Sequence, residues 1–317
     1  MEKINITAPV EAVAEVKGEN SESLRDKPEF VKTIENFDIN NLTPENIDFM
    51  NDVIQETFQK HFPVNSELIN QIPDRMKIVN NKDFIRLREA ANEDADADLG
   101  FYSQKYNQML INIERHQTPG ALFSTMFHES LHFVSIQSGA GMTGDFCYPD
   151  PGEGGKVDEM MRDLDRGVLT AVEGTTQLIT QAYILEQMGF TPQEQMMSYE
   201  PECLVMGAVW GPFSRDERLE AYFNTPLELL RVRVEDTFAE DYDPDKPTGV
   251  FADCMMNIGI ATRNIEEALD SWRKNGDAKP VEDVLKNIRH AVGLFIFREL
   301  ENGTRELGEE DEPPSSL

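Results

Sequence analysis

The segment QTPGALFSTMFHESLHFVSIQS, residues 117–138, constrains the fold more than any other part of the chain. Thr118 is a good N-cap and Pro119 suits the first helical position, while Leu122, Phe123, Met126, Phe127, Leu131 and Val134 form a wide apolar stripe at helical spacing. A helix of this composition must be buried. Yet it carries two of the five histidines, His128 and His132, with Glu129 beside the first. Buried imidazoles need partners, because an apolar interior offers nothing in place of lost water. Residues four apart stack on one helix face, so both rings can aim a nitrogen at one point, the geometry of two zinc ligands. Glu129, about 100° round the helix, is angled away from ligation but can reach a water on the metal. Zinc lowers the pKa of such a water to about 7, and a nearby carboxylate can then take its proton as it attacks a carbonyl.

A hydrolytic zinc site needs a third protein ligand and an open fourth position. The extended pattern HExxHxxGxxH is absent, because Ser135 and Ser138 stand where its glycine and third histidine would be. A carboxylate ligand is therefore expected, and Asp158, Glu159, Asp163, Asp165, Glu173 and Glu194 are available downstream. Glu173 is the best candidate: TAVEGTTQLIT embeds it in an otherwise uncharged helix, where an unpaired carboxylate would be costly. Gln177, one turn on, is placed to orient a ligand. His61, His116 and His290 are expected to be ordinary core or surface residues. Cys147, Cys203 and Cys254 form no CxxC pair, which argues against a disulfide framework or a thiolate metal site.

Lys and Arg total 29 against 59 Asp and Glu, a formal charge of -30. Such a surface repels phosphate backbones and anionic lipid, so nucleic acid and membrane surfaces are excluded as expected partners. The N-terminal stretch has no apolar run of signal-peptide length, and nowhere do 18 consecutive apolar residues appear. The expected setting is the cytoplasm, or export by a specialised secretion system into a target cell.

The pattern along the chain predicts α+β architecture. Residues 1–36 read as a disordered leader and 304–317 as a disordered acidic tail. Residues 37–303 read as one domain with a small strand-containing lobe at about 37–140 and a mainly helical lobe at about 156–303. A glycine- and proline-rich loop, 139–156, joins them and carries Cys147 and Tyr148. Thr43 and Pro44 open a helix, MKIV at 76–79 is a short strand, and KDFIRLREAAN a helix. FYSQKYNQMLINI reads as a hairpin turning near Lys105 to Asn107, with Met109 to Ile113 as its second arm. The run from about Val157 to Met188 is helical with a break expected near Gly167, and a fresh helix start is expected at Thr191-Pro192.

HESLH followed after 40 residues by VEGTTQLIT resembles the gluzincin arrangement of zinc metallopeptidases, and especially bacterial zincin-like toxin and effector proteases with a glutamate-glycine-any-threonine signature. SYEPECLVMGAV and DERLEAYFN are similar to the helices that follow in such domains, so the resemblance covers about residues 100–235. Gln177 departs from it, standing where these domains often have an acid. The resemblance implies a zincin-like fold, Zn2+ on His128, His132 and Glu173, and Glu129 as catalytic base. It implies an edge strand before the motif helix, here Met109 to Ile113, holding the substrate chain by backbone pairing. Glu114 near its end reads as a solvated edge charge. It also implies a donor for the developing oxyanion, for which Tyr199 is the candidate and Tyr148 the rival. The expected function is hydrolysis of peptide bonds in a protein or peptide substrate. Two alternatives stand beside it: a catalytically inactive binding module of the same shape, or a zinc hydrolase of a non-peptide amide.

Overall fold

Short apolar runs bounded by turn residues form strands, and longer runs with a period near 3.6 form helices. The result is a mostly helical chain with one three-stranded sheet among the described residues. The computed structural model describes residues 28–91, 99–138, 162–164, 166–190, 199–210, 219, 222–223 and 250–291. They fall into two compact units, one drawn from Gly18–Gly141 and Thr176–Ser198, the other from Met142–Thr175 and Tyr199–Leu317. Residues 1–27, the loop 139–156, the helix start at Thr191-Pro192 and the tail lie outside the described residues, and so do Cys147 and Tyr148.

The first unit opens with α1 (Glu29–Glu35), whose Val31 and Ile34 are fully buried. The expected leader thus overlaps an ordered helix. Its seven residues carry no side-chain N-cap, so local sequence gives a weak signal and burial of that i, i+3 pair supplies the stability. Helix α2 (Pro44–His61) starts as expected, with Thr43 and Asn46 forming a reciprocal capping box and Pro44 in the first turn. Then come α3 (Ser66–Arg75), β1 (Met76–Val79), α4 (Asn81–Ala91), β2 (Gly100–Ser103) and β3 (Gln108–Asn112). The turn between β2 and β3 is closed by Asn107 at φ 48, a conformation asparagine tolerates better than most residues.

The strand order is β1-β3-β2, with β1 parallel and β2 antiparallel to β3. The arm expected to be an edge strand is therefore the centre of the sheet, bonded on both sides. The hairpin is visible in sequence, but the parallel return of β1 through α4 is not, because four apolar residues carry no partner information. Among the described residues the edges are β1 and β2. Glu114, expected to be a solvated edge charge, instead accepts a hydrogen bond from the Asn81 amide at the start of α4 (3.0 Å), where the helix dipole favours a carboxylate. At the other end of α4, Lys105 Nζ and the Tyr106 hydroxyl both donate to the Ala90 carbonyl (2.9 Å each).

Helix α5 (Pro119–Gln137) begins at Thr118, whose hydroxyl accepts from the Ala121 amide. Every residue from Pro119 to Ser135 is buried, so the helix is enclosed on all sides rather than along a stripe. Phe127 lies at the centre of an aromatic cluster with Phe58 (5.4 Å), Phe62 (6.2 Å) and Tyr183 (6.1 Å). Each such pair adds about 0.5–1.5 kcal/mol beyond area burial.

In the second unit, residues 166–169 lead into a π-turn, Thr170–Gly174; from Thr176 onward the chain belongs to the first unit, where α6 (Thr175–Gln181) runs into a second π-turn, Ala182–Gln187. Helices α7 (Glu200–Trp210), α8 (Val250–Asn275) and α9 (Lys279–Ala291) complete the described elements. Gly167 does not break its helix. A Cβ there would sit 1.7 Å from the Met255 carbonyl oxygen, and one at Gly259 would sit 1.8 Å from that of Asp163. The two glycines let the backbones of this helix and α8 touch. At the next contact a Cβ on Gly174 would lie 2.6 Å from the Glu202 carbonyl oxygen, so α7 also packs directly on the π-turn.

Candidate metal centre

Helix α5 presents His128 and His132 one turn apart, both 6% exposed, with their Nε2 atoms 3.0 Å apart. Ring edges, not faces, meet: the centroids are 4.8 Å apart and the planes inclined at 69°. Glu173 joins them. One ligand atom from each of His128, His132 and Glu173 lies within 4.8 Å of the other two. The site therefore fits a metal by its donor set and its convergence. Ligand atoms around a tetrahedral ion with bonds of about 2.0–2.2 Å stand roughly 3.3–3.6 Å apart, so side-chain adjustments within about 1.5 Å bring all three onto one ion. Two histidines and a carboxylate suit zinc and other borderline divalent ions alike, so the group could hold a divalent ion and its geometry does not choose among them.

Glu173 is delivered by a distortion. It lies in the π-turn Thr170–Gly174, and single π-turns inside α-helices are frequent at functional positions. Several contacts hold that turn. Gly174 takes the close approach of α7, the Thr170 and Thr262 hydroxyls meet at 2.9 Å, and the Trp210 indole donates to Thr175 Oγ1 (3.0 Å). Gln177, expected to orient a ligand, is 5% exposed one turn further on.

Glu129 is 5% exposed on α5. Its neighbours show how the helix is fixed against the sheet. His116, just after β3, hydrogen-bonds at both nitrogens: to the Asn112 carbonyl through Nδ1 (2.8 Å) and to Thr125 Oγ1 through Nε2 (2.9 Å). A carbonyl only accepts, so Nδ1 carries the proton and Nε2 takes that of Thr125. His116 is a satisfied core histidine, as expected, and burial lowers its pKa below the ordinary 6.5. For a histidine held neutral in the fold, the unfolded chain takes up the proton first. Its contribution is intact above about 6.5 and is lost as pH falls through that value toward the folded pKa. In urea melts the wild type should lose up to about 1.4 kcal/mol per pH unit in that window relative to His116→Gln; equal slopes in the two proteins would show that this residue does not carry the dependence.

Of the other carboxylates considered as third ligand, Asp163 is committed to Arg263 (2.7 Å), and Asp158, Glu159, Asp165 and Glu194 lie outside the described residues. His61 packs its ring on Tyr183 (5.5 Å), and the His290 side chain is outside the description. Tyr199 stands immediately before α7 with φ 62, and its carbonyl accepts from the Cys203 amide (2.8 Å). A bulky side chain in the left-handed region costs about 1–3 kcal/mol and persists where its surroundings impose it, commonly at functional positions.

Sequence reading missed the charge network that bears on Glu173. Glu202 is 4% exposed and is paired by Arg166 at 2.9 Å, while the same Nη2 also meets Glu266. Burial raises the Glu202 pKa, Arg166 opposes this, and Glu266 and Glu173 add to it. The only local hint was an acid entering the apolar run CLVMGAVW. Cys203 beside it is deeply buried, and burial, reinforced by Glu202, Glu173 and Glu200, drives its thiol far above the ordinary value. It is an inert packing group. No family model, curated protein or solved structure matches the chain.

Proposed function

We propose that the chain is a zinc-dependent endopeptidase of gluzincin type with a zincin-like fold, acting on a protein or peptide substrate. The observation that carries this reading is the convergence of His128, His132 and Glu173 within 4.8 Å, with a buried glutamate next to the first histidine. Zinc held by these three residues would supply a Lewis acid that acidifies a water and polarises the scissile carbonyl. Glu129 accepts the proton that the water loses as its oxygen attacks, and passes it to the departing amide nitrogen. The elements of water are thereby added across one C–N bond. The burial of Glu129 keeps its carboxylate in a medium where such a transfer is not diluted by bulk water.

The substrate chain is assigned to the outer edge of β2, the sheet edge beside α5, by backbone pairing. Tyr199 is assigned as the donor to the oxyanion. Its constrained backbone supports that role, since a donor must be aimed before the charge develops. Delivery of the protein into another cell as an effector or toxin is the setting the resemblance favours. Among the described residues no helix is long and apolar enough to cross a membrane.

The test is cleavage of denatured casein and of a mixed peptide library by the zinc-loaded protein. Glu129→Gln should keep wild-type zinc and lose about 10²–10⁴-fold in rate. Tyr199→Phe should lower kcat by about 10²-fold at unchanged KM. Undiminished cleavage by Glu129→Gln would end the catalytic reading.

A further inference from the structure

We infer that Gly100, in the first position of β2, is a positioning residue for Glu129. This rests on the assignment of Glu129 as the base. Along β2 the side chains alternate, and Phe101 faces away from α5, onto Phe84 at 5.8 Å and under the Arg88 guanidinium at 4.9 Å. Gly100 and Tyr102 therefore face α5. Tyr102 packs edge-on against Phe133 (5.7 Å), accepts from Gln137 Nε2 (2.9 Å) and donates to Asn107 Oδ1 (2.8 Å). That end of the strand is pinned to the helix through a full-sized side chain. At the other end there is no side chain at all. A Cβ on Gly100 would lie 2.8 Å from Thr125 Cγ2, 3.0 Å from Ile111 Cδ1 and 3.1 Å from Glu129 Cγ.

The three neighbours differ in how they can respond. Ile111 Cδ1 is the free end of a flexible chain. Thr125 is stiff at χ1 and its hydroxyl is held by donating to His116 Nε2 (2.9 Å). Glu129 Cγ is the middle of the stem that aims the carboxylate. Thr125 and Glu129 are one turn apart on the face of α5 that Gly100 touches, so the bare backbone of β2 forms the wall beside that stem. Carbon atoms in ordinary contact sit about 3.5–4.0 Å apart, so any Cβ at position 100 displaces Glu129 Cγ by about 0.5 Å or forces a new rotamer. Sequence hid this role, because a glycine at a strand start reads as a turn signal.

The experiment compares the full-length, zinc-loaded wild type with Gly100→Ala, Thr125→Ser and the pair. Thr125→Ser removes the nearest clashing methyl and keeps the hydroxyl that serves His116, so it relieves packing strain without touching the Glu129 contact. Zinc content should be equal in all four. Gly100→Ala should melt lower than wild type, and the pair should recover the melting temperature. Crystal structures should show Glu129 Cγ displaced in both proteins carrying alanine, and casein cleavage should stay down by about 10²-fold in both, in kcat and not in KM. If Glu129 keeps its wild-type rotamer and position in the pair, or if the pair regains full cleavage, Gly100 is only a packing residue and the inference fails. If Glu129 has moved but the wild type itself cleaves nothing, the peptidase reading falls and the positioning role stands.

Discussion

Glu173→Ala is expected to leave the purified protein with almost no zinc, where the wild type retains about one ion per chain after dialysis. Two neutral imidazoles on one helix turn offer the metal no anionic donor and only half a tetrahedral shell. The carboxylate that completes the set lies within 4.8 Å of both histidine nitrogens. Loss of a ligand is distinguishable here from loss of the fold. Melts in chelator compare the metal-free variant with the metal-free wild type, so any loss of fold is read separately from loss of zinc. Zinc at about 100 times its dissociation constant should add about 2.7 kcal/mol to the wild type and nothing to the variant. Metal analysis with and without chelator, alongside thermal melts, reads both effects. A variant that retains full zinc would remove Glu173 from the ligand set and with it the gluzincin assignment.

Gly167→Ala should cost about 3 kcal/mol of stability or more, the upper range for overpacking. A new methyl would meet the Met255 carbonyl carbon at 2.5 Å and its oxygen at 1.7 Å, and backbone cannot rotate away as a side-chain end can. Relief requires the two helices to separate by more than 1 Å, which strips contact from both sides of a buried crossing. Gly259 makes the reciprocal approach to Asp163 at 1.8 Å, so Gly259→Ala should cost a similar amount, and the two together less than the sum, because one separation accommodates both. Gly174→Ala meets the Glu202 carbonyl oxygen at a milder 2.6 Å. It should destabilise less than Gly167→Ala but weaken zinc binding, since the π-turn that carries Glu173 is what must shift. Urea melts give the first two effects and zinc competition the third. Wild-type stability in Gly167→Ala would show that the crossing is looser than described.

Much of the candidate site is legible in the sequence alone. HESLH announces itself because a helix that is apolar around two histidines needs a reason for them. Glu173 is legible because it is a lone charge in TAVEGTTQLIT, where an acid must be explained by a partner or an ion. Helix starts at Thr43-Pro44 and Thr118-Pro119 and the turn near Asn107 were equally plain, since capping and turn chemistry act within three or four residues. The errors lie where the deciding partner is distant in sequence. Met109 to Ile113 has the composition of any short buried strand, and only the parallel return of β1 makes it central and leaves β2 at an edge among the described residues. Gly167 resembles a helix breaker until α8, nearly 90 residues later, is laid across it. Residues 29–35 look like part of a polar leader until Val31 and Ile34 find a core.

What the sequence determined by itself is the chemistry on offer: two imidazoles and a glutamate on one buried turn, and one unexplained carboxylate 41 residues beyond His132. What the tertiary structure decided is delivery. A π-turn points Glu173, Gly174 lets α7 press on that turn, and Gly100 lets the edge strand lie against the stem of Glu129. Ligand identity is a property of single side chains and their spacing, whereas aim depends on backbone contacts between segments far apart in the chain, and those form only when the helices and the sheet are packed.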